Sequence, residues 1–209
     1  MAPLRKYGDS APVVNATAGK PLRADARRNR ERVLAAARDA FAADGVGVPL
    51  DDIARRAGVG PGTVYRHFPT KEALFEAVMV DRMQQLAAVA RCSAAESDPT
   101  EALFGFIRHL LTEAAPKRDL VDALTHAGVD LHRSLEDIAD EMRADIARML
   151  RRGQRAGGIR RDVALAEVMA LLSGVIASGQ AGQHGEPPPR IERIADVICD
   201  GLRQSARRG

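Results

Sequence analysis

Apolar side chains recur every three or four positions along most of the chain, and no stretch alternates apolar with polar over the length of a strand. That spacing predicts an all-α protein. The first clear stripe is Val33, Leu34, Ala37 and Phe41, on a helix over Asp25–Ala43. Leu74, Phe75, Val78, Met83 and Leu86 mark a long helix from Lys71 to about Cys92, and Ser97-Asp98-Pro99-Thr100 breaks it off from the next. Glu101–Ala115 carries Leu103, Phe104, Phe106, Ile107, Leu110 and Leu111 before Pro116 stops it, and a short helix over Arg118–Ala127 ends at Gly128. Leu131–Ala156 follows, with Leu135, Ile138, Met142, Ile146, Met149 and Leu150 inward and Gly157-Gly158 as its close. Asp162 is the expected cap of an apolar helix over Val163–Ser178. A Gly- and Pro-rich loop over Gly179–Pro189 then leads to a final helix over Arg190–Ala206.

Between the first two long helices the pattern shortens. Ile53, Ala54 and Ala57 form one small inward stripe, and Val64 and Phe68, four apart, form another. Gly58 stands where a chain leaving a helix needs a left-handed residue, which Gly adopts without a Cβ penalty. Gly60-Pro61 opens the second short helix, Pro being preorganised for the first helical position. Pro69-Thr70 ends it and caps the helix beginning at Lys71. Two short helices joined by a Gly-containing turn form a helix-turn-helix, a unit that can hold its second helix in the DNA major groove. Thr63, Tyr65, Arg66 and His67 lie on the outer face of that second helix.

The run from Asp25 to Met83 resembles the DNA-binding domain of the TetR family of bacterial transcriptional regulators. The matching residues are Ala37-x-x-x-Phe41-x-x-x-Gly45, Asp52-Ile53-Ala54-x-x-Ala57-Gly58-Val59, Gly62-Thr63-Val64-Tyr65-x-His67-Phe68 and Lys71-Glu72-x-Leu74. Each is weak alone; together, in order, they are specific, and they cover somewhat more than a quarter of the chain. The chain departs from the family at Pro49 and Gly60, which stand where a Ser or Thr usually caps a helix, and at Asp51, where a basic residue would favour DNA. A Gly cap costs only a few tenths of a kcal/mol.

The resemblance implies three parts: a leader over 1–22, a three-helix DNA-binding domain over 23–70, and a larger helical effector-binding and dimerisation domain over 71–209. About nine helices are expected in all. Thr63 and Arg66 are the expected base readers, Arg66 through a guanidinium suited to guanine O6 and N7. Tyr65, His67 and Lys71 are expected at phosphates, which position without specifying. Pro61 and Gly62, which begin the same helix, and Arg28 complete the expected DNA-contacting set.

Charge agrees with this division. The chain carries 31 Lys and Arg against 28 Asp and Glu. The first 80 residues hold thirteen basic and nine acidic side chains, so the excess is N-terminal. A localised excess suits phosphate contact by one module. Arg27, Arg28, Arg30 and Arg32 crowd the N-terminal half of a helix, where cations oppose the dipole. They are either a solvated face, or Arg27, Arg28 or Arg30 meets phosphate. Residues 1–22 lack apolar periodicity and are expected to be a disordered leader, or else a basic arm carrying Arg5, Lys6 and Lys20, with Arg23 just beyond.

The last two helices read as a dimer interface. Val168–Ala177 is apolar nearly all round and must be covered on every side. In the family the two final helices pair with their copies; here Val168, Leu171, Val175, Ile191, Ile194 and Ile198 would carry that role. The alternative is a helix wholly internal to one subunit. Phe104, Phe106, His109, Met142, Ile146, Met149 and Leu172 are candidates for an apolar effector pocket, with ordinary core as the competing reading.

Other chemistry is thinly represented. Cys92 and Cys199 lack the paired spacing of a zinc site and are expected as free thiols in a reducing cytoplasm. His126, Asp130 and His132 straddle a helix break and are not expected to bind metal. No cofactor is expected, and no apolar window reaches the length of a membrane span. No phosphate loop, HExxH or nucleophile elbow occurs, so an enzyme is the remotest alternative. The expected protein is a homodimeric repressor on a palindromic operator, released by a small hydrophobic ligand. A regulator that only dimerises, or an activator, is the alternative.

Overall fold

The computed structural model describes residues 19–45, 47–114, 131–178 and 190–204, and they are helical as the periodicity predicts. Eight helices lie among them: α1 Gly19–Asp44, α2 Leu50–Ala57, α3 Pro61–His67, α4 Lys71–Ala94, α5 Pro99–Ala114, α6 Leu131–Ala156, α7 Leu165–Ser178 and α8 Ile191–Leu202. The expected helix over Arg118–Ala127, the Gly179–Pro189 loop, His126, Asp130 and most of the leader fall outside the described residues. Helix α1 reaches back to Gly19, six residues before its expected start and four residues into the expected leader.

The apolar stripes assemble into two cores. Val33, Leu34, Ala37 and Phe41 of α1 pack with Ile53, Ala54 and Ala57 of α2, Val64 of α3, Phe68, and Leu74, Phe75 and Val78 of α4. The Phe41 and Phe75 rings sit 5.6 Å apart and tilted, within the range of favourable aromatic pairs. A second core joins Leu86, Ala87, Ala90 and Ala94 of α4 to α5, α6, α7 and α8. One helix thus serves both bodies: the first part of α4 belongs to the helix-turn-helix module and the later part to the larger domain, which α4 enters by packing along α5 and α6.

The caps explain where the short helices stop. Pro49 stands at the N-cap of α2 without a side-chain bond, its carbonyl accepting from Asp52 and Ile53 N–H at 3.1 and 3.3 Å. Gly58 closes α2 at φ +62, the left-handed conformation expected of it, and Val59 N–H returns to the Ala54 carbonyl at 3.1 Å. The Thr70 hydroxyl accepts from Ala73 N–H at 3.1 Å and opens α4.

Two C-terminal boundaries differ from expectation. Asp162 does not cap α7; its carboxylate is held by the Arg160 guanidinium at 2.8 and 2.5 Å, and the helix begins at Leu165 with the Glu167 carboxylate accepting from Ala164 N–H. Helix α8 ends at Leu202 rather than Ala206. Arg203 is extended there and bridges Ile159, with Arg160 N–H on the Leu202 carbonyl and Gln204 N–H on the Gly158 carbonyl, both at 3.0 Å. The turn after α6 therefore captures the backbone that would have continued α8.

Candidate functional site

Helix α3 is held from behind and open in front. Gly60 is its N-cap, Pro61 enters next, and Thr63 N–H bonds the Gly60 carbonyl at 2.9 Å. Val64 and Phe68 are buried. Helical spacing puts Arg66 nearly opposite them, with Gly62 and Thr63 beside it and Tyr65 and His67 on the two flanks. Pro61, Gly62, Tyr65 and Arg66 are exposed, and Thr63 and His67 are half-buried. A Cβ built at Gly62 would meet nothing within 4 Å, so the front of the helix is clear to its first turn. Among the described residues Arg66 has no hydrogen-bond or ion-pair partner. A long cation in that position is available to an anionic or hydrogen-bond-accepting ligand.

Helix α1 supports α3 and the turn. Arg32 Nη2 donates to the Gly58 carbonyl at 2.8 Å, and the Arg30 guanidinium lies 5.4 Å from the centroid of the Phe68 ring. The sequence reading treated these arginines as solvated or phosphate-bound and missed both contacts. Its only signal was their helical position facing a short motif whose carbonyls needed donors. Arg28 is exposed and pairs with Asp25 one turn away, while Arg27 pairs with Glu31 at 3.6 Å. Exposed pairs like these are weak and readily exchanged for phosphate. Lys71, expected at phosphate, donates Nζ to the Gly47 carbonyl at 3.0 Å and ties the loop before α2 to the start of α4.

The candidate effector residues separate. Phe104, Phe106, Met142, Ile146, Met149 and Leu172 all belong to the second core. His109 does not: it is exposed, because Leu103, Ile107 and Leu111 turn the opposite side of α5 inward. Arg203 stacks over the Phe104 ring at 4.8 Å, and the Cys199 thiol lies 3.9 Å from the Phe104 carbonyl. Burial pushes the Cys199 thiol above its ordinary range, whereas Cys92 is exposed.

The candidate dimer residues separate as well. Val168 is fully buried and Ile198 nearly so, both within the second core, so neither belongs to an outer face. Ile191, Ile194 and Val175 are half-buried. Leu171 is 48% exposed and Val197, an apolar residue of the final helix outside the expected interface set, is 60% exposed. Around Leu171, Ala166, Ala170, Ser173, Gly174 and Ala177 also face outward. Among the described residues, helix α7 is thus packed on one side, with its Leu171 face exposed.

A compact helical module that presents an unpartnered arginine on the short second helix of a helix-turn-helix defines a DNA-binding regulator. Comparison with known proteins agrees. Residues 33–78 match the family model for bacterial regulatory proteins of the tetR family, and residues 98–204 match the C-terminal domain of SbtR-like transcriptional regulators. The crystal structure of a TetR transcription regulatory protein from Mycobacterium vanbaalenii is 48% identical, covers 88% of this chain and 99% of its own, and superposes with a TM-score of 0.71. The HTH-type transcriptional repressor Rv1474c of Mycobacterium tuberculosis is 28% identical over 84% of this chain and 94% of its own. The regulator TtgW of Pseudomonas putida is 44% identical over 64 residues, 30% of this chain and 48% of its own length, so that match spans about half of TtgW. The chain belongs to the TetR family of transcriptional regulators.

Proposed function

We propose that the protein is a homodimeric repressor in the cytoplasm, held on a palindromic operator by two copies of α3 and released by a small organic ligand. The observation that carries this reading is the outward, unpartnered Arg66 on a helix braced from behind by Val64, Phe68 and Arg30. Thr63 stands beside it as the second base reader. Tyr65, His67, Lys71 and Arg28 flank it for phosphate, with Pro61 and Gly62 offering the open start of the helix. Reading two half-sites about 34–36 Å apart requires two such helices. The uncovered apolar face at Leu171 and Val197 supports pairing through α7 and α8.

Repression is supported by the label of the Mycobacterium tuberculosis relative. Effector control is supported by the family and by α4, which shares its length between the two cores. The same fold holds resorcinol in RolR, which at 22% identity and a TM-score of 0.51 shares the fold alone. A ligand lowers DNA affinity only by as much as it favours the released arrangement.

The test is gel retardation of a duplex carrying the upstream region of the gene, with random duplex as competitor, followed by footprinting. A palindromic footprint that survives random competitor is the expected result. Equal affinity for both duplexes overturns the reading. A regulator without an effector would show the same footprint and no release by any compound.

A further inference from the structure

We propose that Arg82, with Arg38 beside it, forms the seat for the carboxylate of an organic acid, and that such an acid is the effector. This deepens the effector-controlled reading above and rests on it.

Arg82 lies where α4 passes from one core to the other. Val78, one turn earlier, belongs to the DNA-binding module, and Leu86, one turn later, to the larger domain. The residue is 7% exposed, and neither Nη1 nor Nη2 finds a hydrogen-bond partner. Buried guanidinium nitrogens left unpaired are costly and rare in folded proteins. The nearest anion is Glu113 of α5 at 3.5 Å, longer than the 2.7–2.9 Å of a charge-assisted bond, and its side chain is about half exposed. Burial draws the Arg82 pKa below its ordinary value, partly offset by Glu113 and reinforced by the neighbouring Arg38.

Arg38, on α1, repeats the theme. Its Nη2 donates to Asp81 at 2.8 Å, but its buried Nε also lacks a partner. The Oδ2 atom of Asp81 that Arg38 uses is shared with Gln85 at 2.9 Å. The junction of α1, α4 and α5 therefore holds two guanidinium groups whose buried donors outnumber the acceptors that reach them.

A planar monoanion fits this junction. A carboxylate can accept from Nη1 and Nη2 of Arg82 together, the two-pronged geometry for which guanidinium is shaped. A phosphate dianion would bring a second negative charge up to Glu113, and like charges so placed repel. Val78 and Leu86, one turn to either side of Arg82, and Leu110, one turn before Glu113, are buried apolar neighbours, which favours the body of an organic acid over a bare inorganic ion. Half-exposed Glu113 marks the way in, and an entering carboxylate would displace it. Because Arg38 belongs to the DNA-binding module and Glu113 to the larger domain, the bound acid re-ties the link between them.

The experiment measures thermal unfolding of the full chain at neutral pH and low salt. Hexanoate, octanoate, benzoate and phenylacetate are compared with the corresponding amides and with inorganic phosphate. The same set is applied to Arg82→Met, which keeps the bulk and removes the charge, and to Arg82→Lys, which keeps the charge and removes the fork. At least one acid is expected to raise the wild-type Tm by about 2 °C or more while its amide does not. That rise should vanish in Arg82→Met and shrink in Arg82→Lys; if the Met variant does not fold, the Lys variant decides. The proposal is overturned if no acid raises Tm, if acid and amide act alike, if phosphate alone acts, or if the variants respond as wild type does. Retardation of the upstream duplex by unliganded protein is read separately. Its failure would sink the repressor reading and leave the acid-binding result intact.

Discussion

Arg32 and Gly58, 26 positions apart, meet where the Arg32 guanidinium donates to the Gly58 carbonyl at 2.8 Å. The bond clamps α1 over the turn that sets the angle between α2 and α3. Gly58 is constrained twice: by φ +62, and because a Cβ there would come within 2.6 Å of Arg32 Nη2. Gly58→Ala should cost about 1–2 kcal/mol from the left-handed backbone alone, and Arg32 must swing away as well. Arg32→Ala, losing one exposed hydrogen bond, should cost about 1 kcal/mol or less. Urea unfolding checks both, and the order of the two costs is the informative outcome. Equal costs would mean that Arg32, not the backbone, is what requires glycine.

Arg66 and Lys71 should behave differently when removed. Arg66→Ala is expected to leave Tm unchanged, because Arg66 makes no hydrogen bond or ion pair among the described residues, and to lose about 1–3 kcal/mol of discrimination at one base pair of each half-site. Lys71→Ala should weaken binding to every sequence alike and flatten the salt dependence. It should also lower Tm slightly, since the bond to the Gly47 carbonyl is lost. Affinities for operator and random duplex at several salt concentrations separate these outcomes. If Arg66→Ala weakens both duplexes equally, Arg66 is a phosphate contact and not a reader.

Leu171 and Val197 are the uncovered apolar residues of α7 and α8. Leu171→Glu or Val197→Glu should convert the dimer to a folded monomer, because each puts charge into the proposed interface and none into the subunit core. Sedimentation gives the mass and circular dichroism the fold. Val168→Glu is the contrasting variant: with Val168 fully buried it should unfold the domain rather than merely split the dimer. A dimer that survives both exposed substitutions would place the interface elsewhere.

Bonding to the Arg160 guanidinium lowers the Asp162 carboxyl to about 2. With the folded value below the unfolded one, the pair's contribution is present above pH ~4 and is lost as pH falls toward the folded value. The Tm difference between wild type and Asp162→Asn should therefore be steady near neutrality and narrow below pH ~4. It should be small throughout, because the pair is exposed. A gap that widens in acid would mean that Asp162 is not held ionised.

What the sequence made legible was local. Helix α6 runs over Leu131–Ala156, as its stripe of Ile138, Met142, Ile146 and Met149 and the following glycines indicate. The turn at Gly58, the Gly60 and Thr70 caps and the outward Arg66 follow from residues within a few positions of one another. What stayed hidden depends on distant partners. Helix α8 stops at Leu202 because Ile159 waits beside Arg203, and nothing between Arg190 and Ala206 shows it. Asp162 looks like a cap until Arg160 claims it. In a helix apolar on all sides, which face turns inward is decided by its neighbours, so of two residues expected at one interface Val168 lies in the core and Leu171 faces outward. Arg82 is not singled out by the apolar stripe of its helix; its missing partners are a property of three packed helices.

The central claim is that two exposed α3 helices, presented by a symmetric pair of subunits, read DNA. Sedimentation of the protein with a fluorescent duplex carrying its upstream region, at low ionic strength and with excess random duplex, measures specificity and stoichiometry together. A complex containing an even number of subunits per site, resistant to the competitor and abolished by Leu171→Glu, is the expected result. A single subunit on the duplex, or a complex that random DNA removes at equal concentration, would contradict it.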